Sequence, residues 1–343
     1  MNLKELSAIL KLSQTTVSRA LNGYPEVSEA TRERVNKAAR EHNYIANTRA
    51  RGLATGRTHA VGHVIPLSTK HEVVNPVFTD FIAGASEIYS QENYDMHLSI
   101  VPDTNEESAY RNFASKGSVD GVIVHGPVEN DPRIKLLQDI GMPFVVHGRS
   151  NAELDQNYAW VDVNNKRAFE RATQFLIDLG HERIALLNGL ETMDFAMRRR
   201  HGYDSAMTAA GLPINPDFCL SDEMTEEYGF QATMALLKAD QPPTAFLVSS
   251  IIVGIGVRRA CNEMGLVLGK DVSLIIHDDE LSYFRNGHAE PVYTATRSSV
   301  RFAGRTCAEL LMEQISDPDC AHRHVLLEAE LIIGNTTGPA PKS

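Results

Sequence analysis

The chain reads as two folds in series. A small all-α helix-turn-helix domain occupies residues 1–46, and an α/β core of two Rossmann-like lobes occupies 58–343, with a hinge helix or linker at 47–57. Three observations carry this reading. Capped helical periodicity fills the first 46 residues, and apolar runs of strand length alternate with helical patterns from Ala60 onward. The charge is also divided. The 343 residues carry a formal net charge of −11, yet residues 1–57 hold ten Lys and Arg against five acids, a net of +5, which leaves −16 for the remainder. A basic head on an acidic body suits polyanion contact confined to one end.

The hydrophobic content, 43%, allows a sizeable core. The longest apolar runs, such as Ala245–Val248 and Leu274–Ile276, stop far short of a membrane span. Met1-Asn2-Leu3-Lys4-Glu5-Leu6 lacks the basic-then-apolar layout of a signal peptide. Cys219, Cys261, Cys307 and Cys320 show no CxxC or metal-ligand spacing. The expectation is a bacterial-type cytoplasmic protein, neither metal- nor cofactor-dependent, with no membrane partner.

In the head, Asn2 with Glu5 forms a capping box, and Leu6, Ile9 and Leu10 follow at helical spacing in a helix that ends near Lys11. Ser13 caps a second helix. Val17 and Leu21 share its inner face, while Gln14, Thr15, Thr16 and Arg19 fall at its exposed N-terminal end. Short polar side chains followed by one arginine suit a helix presented end-on to base edges and phosphates. An ordinary surface helix would also fit that window; its surroundings decide. Asn22-Gly23-Tyr24-Pro25 breaks the helix, and Ser28 caps a third with Val35, Ala38 and Ala39 as its buried face. Two helices joined by a three-to-four-residue turn, with a third behind, make a helix-turn-helix domain. The segment 46–57 has one large apolar residue, Leu53, among arginines; it is too short to be stable as an isolated helix and reads as a hinge that folds only when held.

The run Leu6 … Leu12-Ser13-x-x-Thr16-Val17-Ser18-Arg19-x-Leu21-Asn22 … Val27-Ser28-x-x-Thr31-Arg32-x-Arg34-Val35 … Asn43-Tyr44-Ile45-x-Asn47 … Ala50-Arg51-x-Leu53 resembles the lactose-repressor (LacI/GalR) family of bacterial transcription regulators, in its α-glucoside-utilisation type. The resemblance implies that Gln14, Thr15 and Arg19 face major-groove bases, and that Ser13, Thr16, Ser18, Asn22 and Thr31 clamp phosphates. It implies further DNA contacts from Leu3 and from the hinge residues Arg49, Ala50, Arg51 and Leu53. Paired hinges enter the minor groove with Leu53 wedged into a base step. Such a wedge costs about a few kcal/mol of unstacking, which the wider contact with bent DNA offsets.

In the body, strands read at Ala60–Pro66, Met96–Val101, Gly121–Val124, Phe144–Val146, Ile184–Leu187, Ala245–Val248 and Val272–Ile276. Helices read at about Val77–Gln91, Glu106–Ala114, Asn165–Leu179, Arg198–Ala210, Glu227–Lys238 and Val253–Met264. This doubly wound pattern is too long for one sheet, and ligands bind beyond the carboxyl ends of such strands. The resemblance extends here through Leu179-Gly180-His181, the Arg198–Tyr203 run, Pro243-Thr244-Ala245 and Val272-Ser273-Leu274 … Asp278-Asp279. It implies a core similar to periplasmic sugar-binding proteins, with lobe 1 at about 58–161 and 292–320 and lobe 2 at about 162–291 and 321–340.

Family alignment places Arg199 in the cleft, where its rigid fork suits vicinal hydroxyls. Asp278 follows a strand, where an acceptor-only group would take two sugar hydroxyls, with Asp279 and Glu280 as loop charge. Phe195 either stacks on a sugar or fills core. His125 and His147, each at a strand end, either line the first lobe's cleft or satisfy local hydrogen bonds, and Phe78 is a further candidate of that kind. Ser250 stands where the family often has Asn or Asp, and Arg297-Ser298-Ser299 where a family glutamine touches ligand. The C-terminal 334–343 is short and Pro-rich with no heptad helix, so the dimer-of-dimers tail known for the lactose repressor is not expected.

The expected function is a sequence-specific repressor of carbohydrate metabolism, bound as a homodimer to a pseudo-palindromic operator in double-stranded DNA. A small effector in the interlobe cleft, a mono- or disaccharide or a sugar phosphate, controls it allosterically, as an inducer that releases the DNA. A nicotinamide-dependent enzyme is the alternative, but Gly254-Ile255-Gly256-Val257-Arg258-Arg259 lacks the third glycine and a strand-turn-helix context. A secreted solute receptor would need the missing leader.

Overall fold

The computed structural model describes residues 1–21, 24–44, 57–66, 75–150 and 157–342. The chain divides into two compact units, Met1–His59 and Ala60–Ser343.

In the first unit, α1 (Leu3–Leu10), α2 (Gln14–Leu21) and α3 (Glu29–Glu41) each begin at a side-chain cap. Glu5 N donates to Asn2 Oδ1 at 2.9 Å and Asn2 N donates to Glu5 Oε2 at 3.0 Å, the reciprocal capping box. Ser13 Oγ accepts from Thr16 N at 3.0 Å, and Ser28 Oγ from Thr31 N at 3.4 Å. Lys11, in the left-handed region at φ 52°, ends α1. Leu6, Leu10, Val17, Ala20, Val35, Ala38 and Ala39 close one small core. Ile9 instead lies at the flank of the Leu6–Leu10 stripe and is 50% exposed. Arg34 Nη2 donates to the Leu10 carbonyl at 2.7 Å, sealing an orphaned acceptor at the end of α1.

The second unit contains two six-stranded sheets. Residues 60–163 supply β1 (Ala60–Pro66), α4 (Pro76–Gln91), β2 (Asp95–Val101), α5 (Glu106–Lys116), β3 (Gly121–His125), α6 (Pro132–Asp139), β4 (Phe144–His147) and β5 (Ala159–Val163). Then come α7 (Asn165–Asp178), β6 (Ile184–Asn188), α8 (Asp194–Ala209), β7 (Cys219–Ser221), α9 (Glu226–Leu236), β8 (Ala245–Val248), α10 (Ile251–Glu263) and β9 (Ser273–Asp278). The chain closes with β10 (Thr294–Arg297), α11 (Val300–Ser316), β11 (His324–Leu327) and β12 (Glu330–Ile332). The sheet orders are β11-β5-β4-β3-β1-β2 and β12-β10-β9-β8-β6-β7. Every pair is parallel except β10–β12, so the carboxyl ends of nearly all strands in a sheet share one edge.

The chain crosses between sheets three times, but later than the sequence suggested. β10 runs parallel to β9, pairing Thr294 with Ile275, so it belongs to the second sheet. β11 runs parallel to β5, pairing His324 with Trp160, so it belongs to the first. The crossings therefore fall at about 164, 298–299 and 328–329, not at the expected 161/162, 291/292 and 320/321. Thr294-Ala295-Thr296-Arg297 carries little of the apolar signature of a strand, and the apolar Val325-Leu326-Leu327 run is short and only partly buried. The 17-residue α11 also escaped the sequence pattern, because the small residues Ala303, Gly304, Cys307 and Ala308 make up much of the inner face of its first half. They allow close packing: a Cβ on Gly304 would sit 2.1 Å from the Phe81 carbonyl oxygen, so α4 and α11 approach backbone to backbone. Among the described residues no helix is long and apolar enough to cross a membrane.

Candidate functional site

In the head, Ser13, Gln14, Thr15 and Arg19 are exposed at and beyond the start of α2, while Leu3, Thr16, Ser18 and Thr31 are half-buried. The Thr16 hydroxyl lies 2.8 Å from Ser13 Oγ, and the Thr31 hydroxyl 2.9 Å from Ser28 Oγ, so each cap carries a second hydroxyl beside a helix N-terminus. Paired hydroxyls over unsatisfied helix N–H groups suit a phosphate oxygen. The basic residues divide by role. Arg32 is held by Glu29 and by the Tyr24 and Val27 carbonyls, and Arg34 by Leu10; Arg19 stands exposed on α2. Asn22, Arg49, Ala50, Arg51 and Leu53, with nearly all of the expected hinge, lie outside the described residues.

In the second unit, the carboxyl ends of both sheets face one cavity of about 1240 Å³. Phe78, His125, His147, Phe195, Arg199 and Ser250 all line it. Asp278 does not: β9 alternates, so its inward positions are His277 and Asp279, and both line the cavity. Asp278 Oδ1 instead accepts from Glu280 N at 2.9 Å and fixes the turn. This strand end therefore reaches the cavity through Asp279, read from the sequence as loop charge, and not through Asp278. Ser250 caps α10, its Oγ accepting from Val253 N at 3.2 Å, so its hydroxyl is already shared with the backbone.

Arg199 is 5% exposed. Its Nε donates to Asn165 Oδ1 at 2.8 Å and its Nη1 to the Ser249 carbonyl at 2.7 Å. The guanidinium is sandwiched between Phe169 and Phe195, 5.1 and 4.9 Å from the ring centroids. Burial lowers its pKa to about 10, against the opposing pull of Asp279 and Asp162. It remains charged at neutral pH. Nη2 has no protein partner among the described residues. Asp279, 3.4 Å from His277 Nε2, is pushed up by burial but held below the usual carboxylate range by His277, Arg199 and His147. Asp162, paired with Arg149 at 2.9 Å, is raised by burial to about 6.

Lobe 1 contributes a group that periodicity alone could not assemble. His63 Nδ1 lies 3.0 Å from His125 Nε2, and His63 Nε2 lies 3.0 Å from the Tyr89 hydroxyl. His125 meets the rings of Phe78 and Phe81 edge-on, and Phe81 packs tilted on His147. Burial lowers the pKa of His63 to about 3 and of His147 to about 4, and it drives His125 well below its ordinary value. All three are neutral at pH 7.

Charge is unevenly disposed around the cavity. Nine carboxylates line it against four bases. Three of those bases are committed: Arg111 to Glu107, Arg133 to Asp131 and Glu106, and Lys135 to Asp139. Arg133 also donates to the His125 and Gly126 carbonyls and so braces the loop after β3. Gly254 and Gly256, the glycines of the enzyme reading, lie inside α10. A Cβ on Gly256 would sit 2.1 Å from the Glu226 carbonyl oxygen, so these glycines serve helix packing and not a phosphate loop.

A capped three-helix head and a ligand-sized cleft between two parallel sheets define a helix-turn-helix DNA-binding protein with a small-molecule core. Residues 4–47 match the family described as bacterial regulatory proteins, lacI family, and residues 173–337 match the periplasmic binding protein-like domain. The HTH-type transcriptional regulator AglR of Rhizobium meliloti (strain 1021) is 42% identical over 340 residues, covering 99% of this chain and 95% of that protein. The chain belongs to the LacI family of bacterial transcriptional regulators. Among solved structures, a transcriptional regulator CelR–cellobiose complex is similar at a TM-score of 0.72 and 26% identity, covering 98% of this chain and 99% of that one. The Lac repressor bound to ONPG in the repressed state matches at 0.84 and 25%, with the same coverage.

The buried histidines make stability depend on pH. His63, His125 and His147 titrate in the folded chain below their ordinary value of 6.5. The unfolded chain therefore binds more protons below that value. Their contribution is fully present above pH 6.5 and falls as pH drops toward about 4, by about 1.4 kcal/mol per pH unit for each. Asp162, raised from 3.8 to about 6, acts in the opposite sense over that window, as do Asp194 and Asp278, also raised by burial, while His181 and His277, lowered by burial, act with the three histidines. Denaturant melts at pH 7.5 and pH 5.0 will show a lower midpoint at pH 5.0; an equal or higher midpoint contradicts the buried, neutral histidines.

Proposed function

We propose that the protein is a cytoplasmic, non-enzymatic repressor of carbohydrate-utilisation genes. It binds a pseudo-palindromic operator as a homodimer and leaves it when a neutral disaccharide of the α-glucoside type closes the cleft. The observation that carries the reading is the cleft itself: a buried, charged Arg199 fork in the second lobe, an ionised Asp279 near it, and neutral ring nitrogens from the first lobe, all on one cavity. Sugars are recognised by mixed donors and acceptors of this kind, with aromatic faces alongside. The cavity exceeds the roughly 300–1,000 Å³ usual for small-molecule sites, which favours a disaccharide over a monosaccharide. Its excess of carboxylates, with three of four bases already paired, disfavours a sugar phosphate.

For the DNA side, Gln14, Thr15 and Arg19 read base edges, while Ser13, Thr16, Ser18, Asn22 and Thr31 hold phosphates. Two recognition helices then occupy successive major grooves. The hinge, with Arg49, Ala50, Arg51 and Leu53, orders in the minor groove. Ligand closure changes the spacing of the two hinge starts and melts them. The second copy is supported by β2, an edge strand that presents Met96, Leu98 and Ile100, 39–43% exposed, at alternate positions on one face. An apolar edge of this kind is covered in stable proteins.

In a thermal-shift screen of maltose, sucrose, trehalose, glucose and glucose 6-phosphate, a neutral disaccharide will raise the melting temperature by mass action, with about 2.7 kcal/mol of stabilisation at 100 Kd. Arg199→Lys keeps the charge but loses the fork, and it will weaken that response at least about ten-fold. Stabilisation by glucose 6-phosphate alone would refute the neutral-sugar reading. On the DNA side, Arg19→Ala will weaken operator binding while leaving binding to scrambled DNA nearly unchanged, about 1–3 kcal/mol of lost discrimination in a competition assay. Equal loss on both DNAs would make Arg19 a phosphate contact.

A further inference from the structure

We infer that Tyr89 and His63 form a proton-ordered chain that fixes the tautomer of His125, so that His125 offers the cleft an Nδ1–H donor and selects a ligand with an oxygen acceptor at that point. The inference deepens the cleft reading above and rests on it for the identity of the ligand only.

The order follows from the hydroxyl at the far end. Tyr89 is 2% exposed, and its hydroxyl has one hydrogen-bond partner among the described residues, His63 Nε2 at 3.0 Å. Its other polar neighbour, the Cys307 thiol, is a weak acceptor. A buried hydroxyl hydrogen without an acceptor is the costly arrangement, so Tyr89 donates and His63 Nε2 accepts. His63 is fully buried and neutral, and a neutral imidazole carries one N–H. That hydrogen must then lie on Nδ1, which donates to His125 Nε2 at 3.0 Å. His125 is neutral by the same burial, so its own hydrogen lies on Nδ1. His125 lines the cavity, and Nδ1 has no protein partner among the described residues. The reverse order runs His125 Nε2–H to His63 and His63 Nε2–H to Tyr89, and strands the tyrosine hydrogen.

Tyr89 and His63 are thus positioning residues, and His125 is the contact. A hydroxyl, ring or glycosidic oxygen satisfies the donor. A deoxy or N–H-bearing analogue at that position does not. Neither side chain carries a formal charge, so the contact adds selectivity without favouring anions.

The test is nitrogen NMR of the full chain labelled with 15N-histidine at pH 7.5, with His125 assigned by loss of its signals in His125→Gln. Expected in the wild-type protein is a protonated Nδ1 and an unprotonated Nε2 on His125. Tyr89→Phe removes the terminal donor; His125 then becomes a tautomer mixture, and maltose affinity falls roughly five-fold in calorimetry, the size of one neutral hydrogen bond. An Nε2–H on His125 in the wild type overturns the inference, and so does an unchanged His125 tautomer in Tyr89→Phe. The wild-type spectrum decides even if the variant does not fold. If maltose fails to bind while the spectra match, the sugar reading fails and the ordered chain stands.

Discussion

The buried charge of Arg199 is the constraint around which the core is organised. A guanidinium removed from water must be hydrogen-bonded or face a counter-charge, or it destabilises the fold. Here Asn165 and the Ser249 carbonyl take two donors, two phenylalanine rings cover its faces, and Asp279 supplies a long-range counter-charge. These partners come from α7, from the turn after β8 and from the turn after β9, so one side chain ties three segments of the second sheet to the cavity wall. What is left of its hydrogen-bonding capacity can be met by ligand oxygens. Binding and folding thereby draw on the same group.

The first sheet answers with different chemistry. Its histidines are uncharged, kept neutral by burial against aromatic rings, and its charged cavity residues are paired among themselves, Arg111 with Glu107, Arg133 with Asp131 and Glu106, and Lys135 with Asp139. The Arg199 fork on one side and uncharged imidazoles on the other give a ligand with many hydroxyls a reason to bridge the two lobes. Neither lobe alone offers both the Arg199 fork with Asp279 nearby and the neutral imidazoles. On the proposed reading, closure completes the ligand's hydrogen bonds across the two lobes.

Much of this was legible in the sequence, for identifiable reasons. Caps announce themselves locally, so Asn2 with Glu5, Ser13 and Ser28 could be read directly. Strands such as Ala245–Val248, buried throughout, have an unmistakable apolar signature. Strand ends point to ligands, which is why His125, His147, Ser250 and Asp278 were singled out, while Asp279 was set aside as loop charge. The errors share one origin, which is that tertiary context overrides local pattern. β10 is polar in sequence, yet it is held in the sheet by its neighbours. The choice between Asp278 and Asp279 depends on where the pleat begins. His63 and Tyr89 sit inside elements that look like ordinary core, and only the fold brings them to His125. Asn165, which orients Arg199 from 34 residues away, carries no sequence signal at all.

In the proposed release of DNA by sugar, the cleft ligand and the operator compete through one conformational equilibrium. Linkage requires that each weaken the other by the same factor, typically about 5–150-fold. The direct measurement is a reciprocal titration: operator affinity by fluorescence anisotropy with and without saturating disaccharide, and disaccharide affinity by calorimetry with and without saturating operator. Equal factors, both unfavourable, are predicted. A sugar that binds the core with the same affinity whether or not operator is present would contradict the coupling.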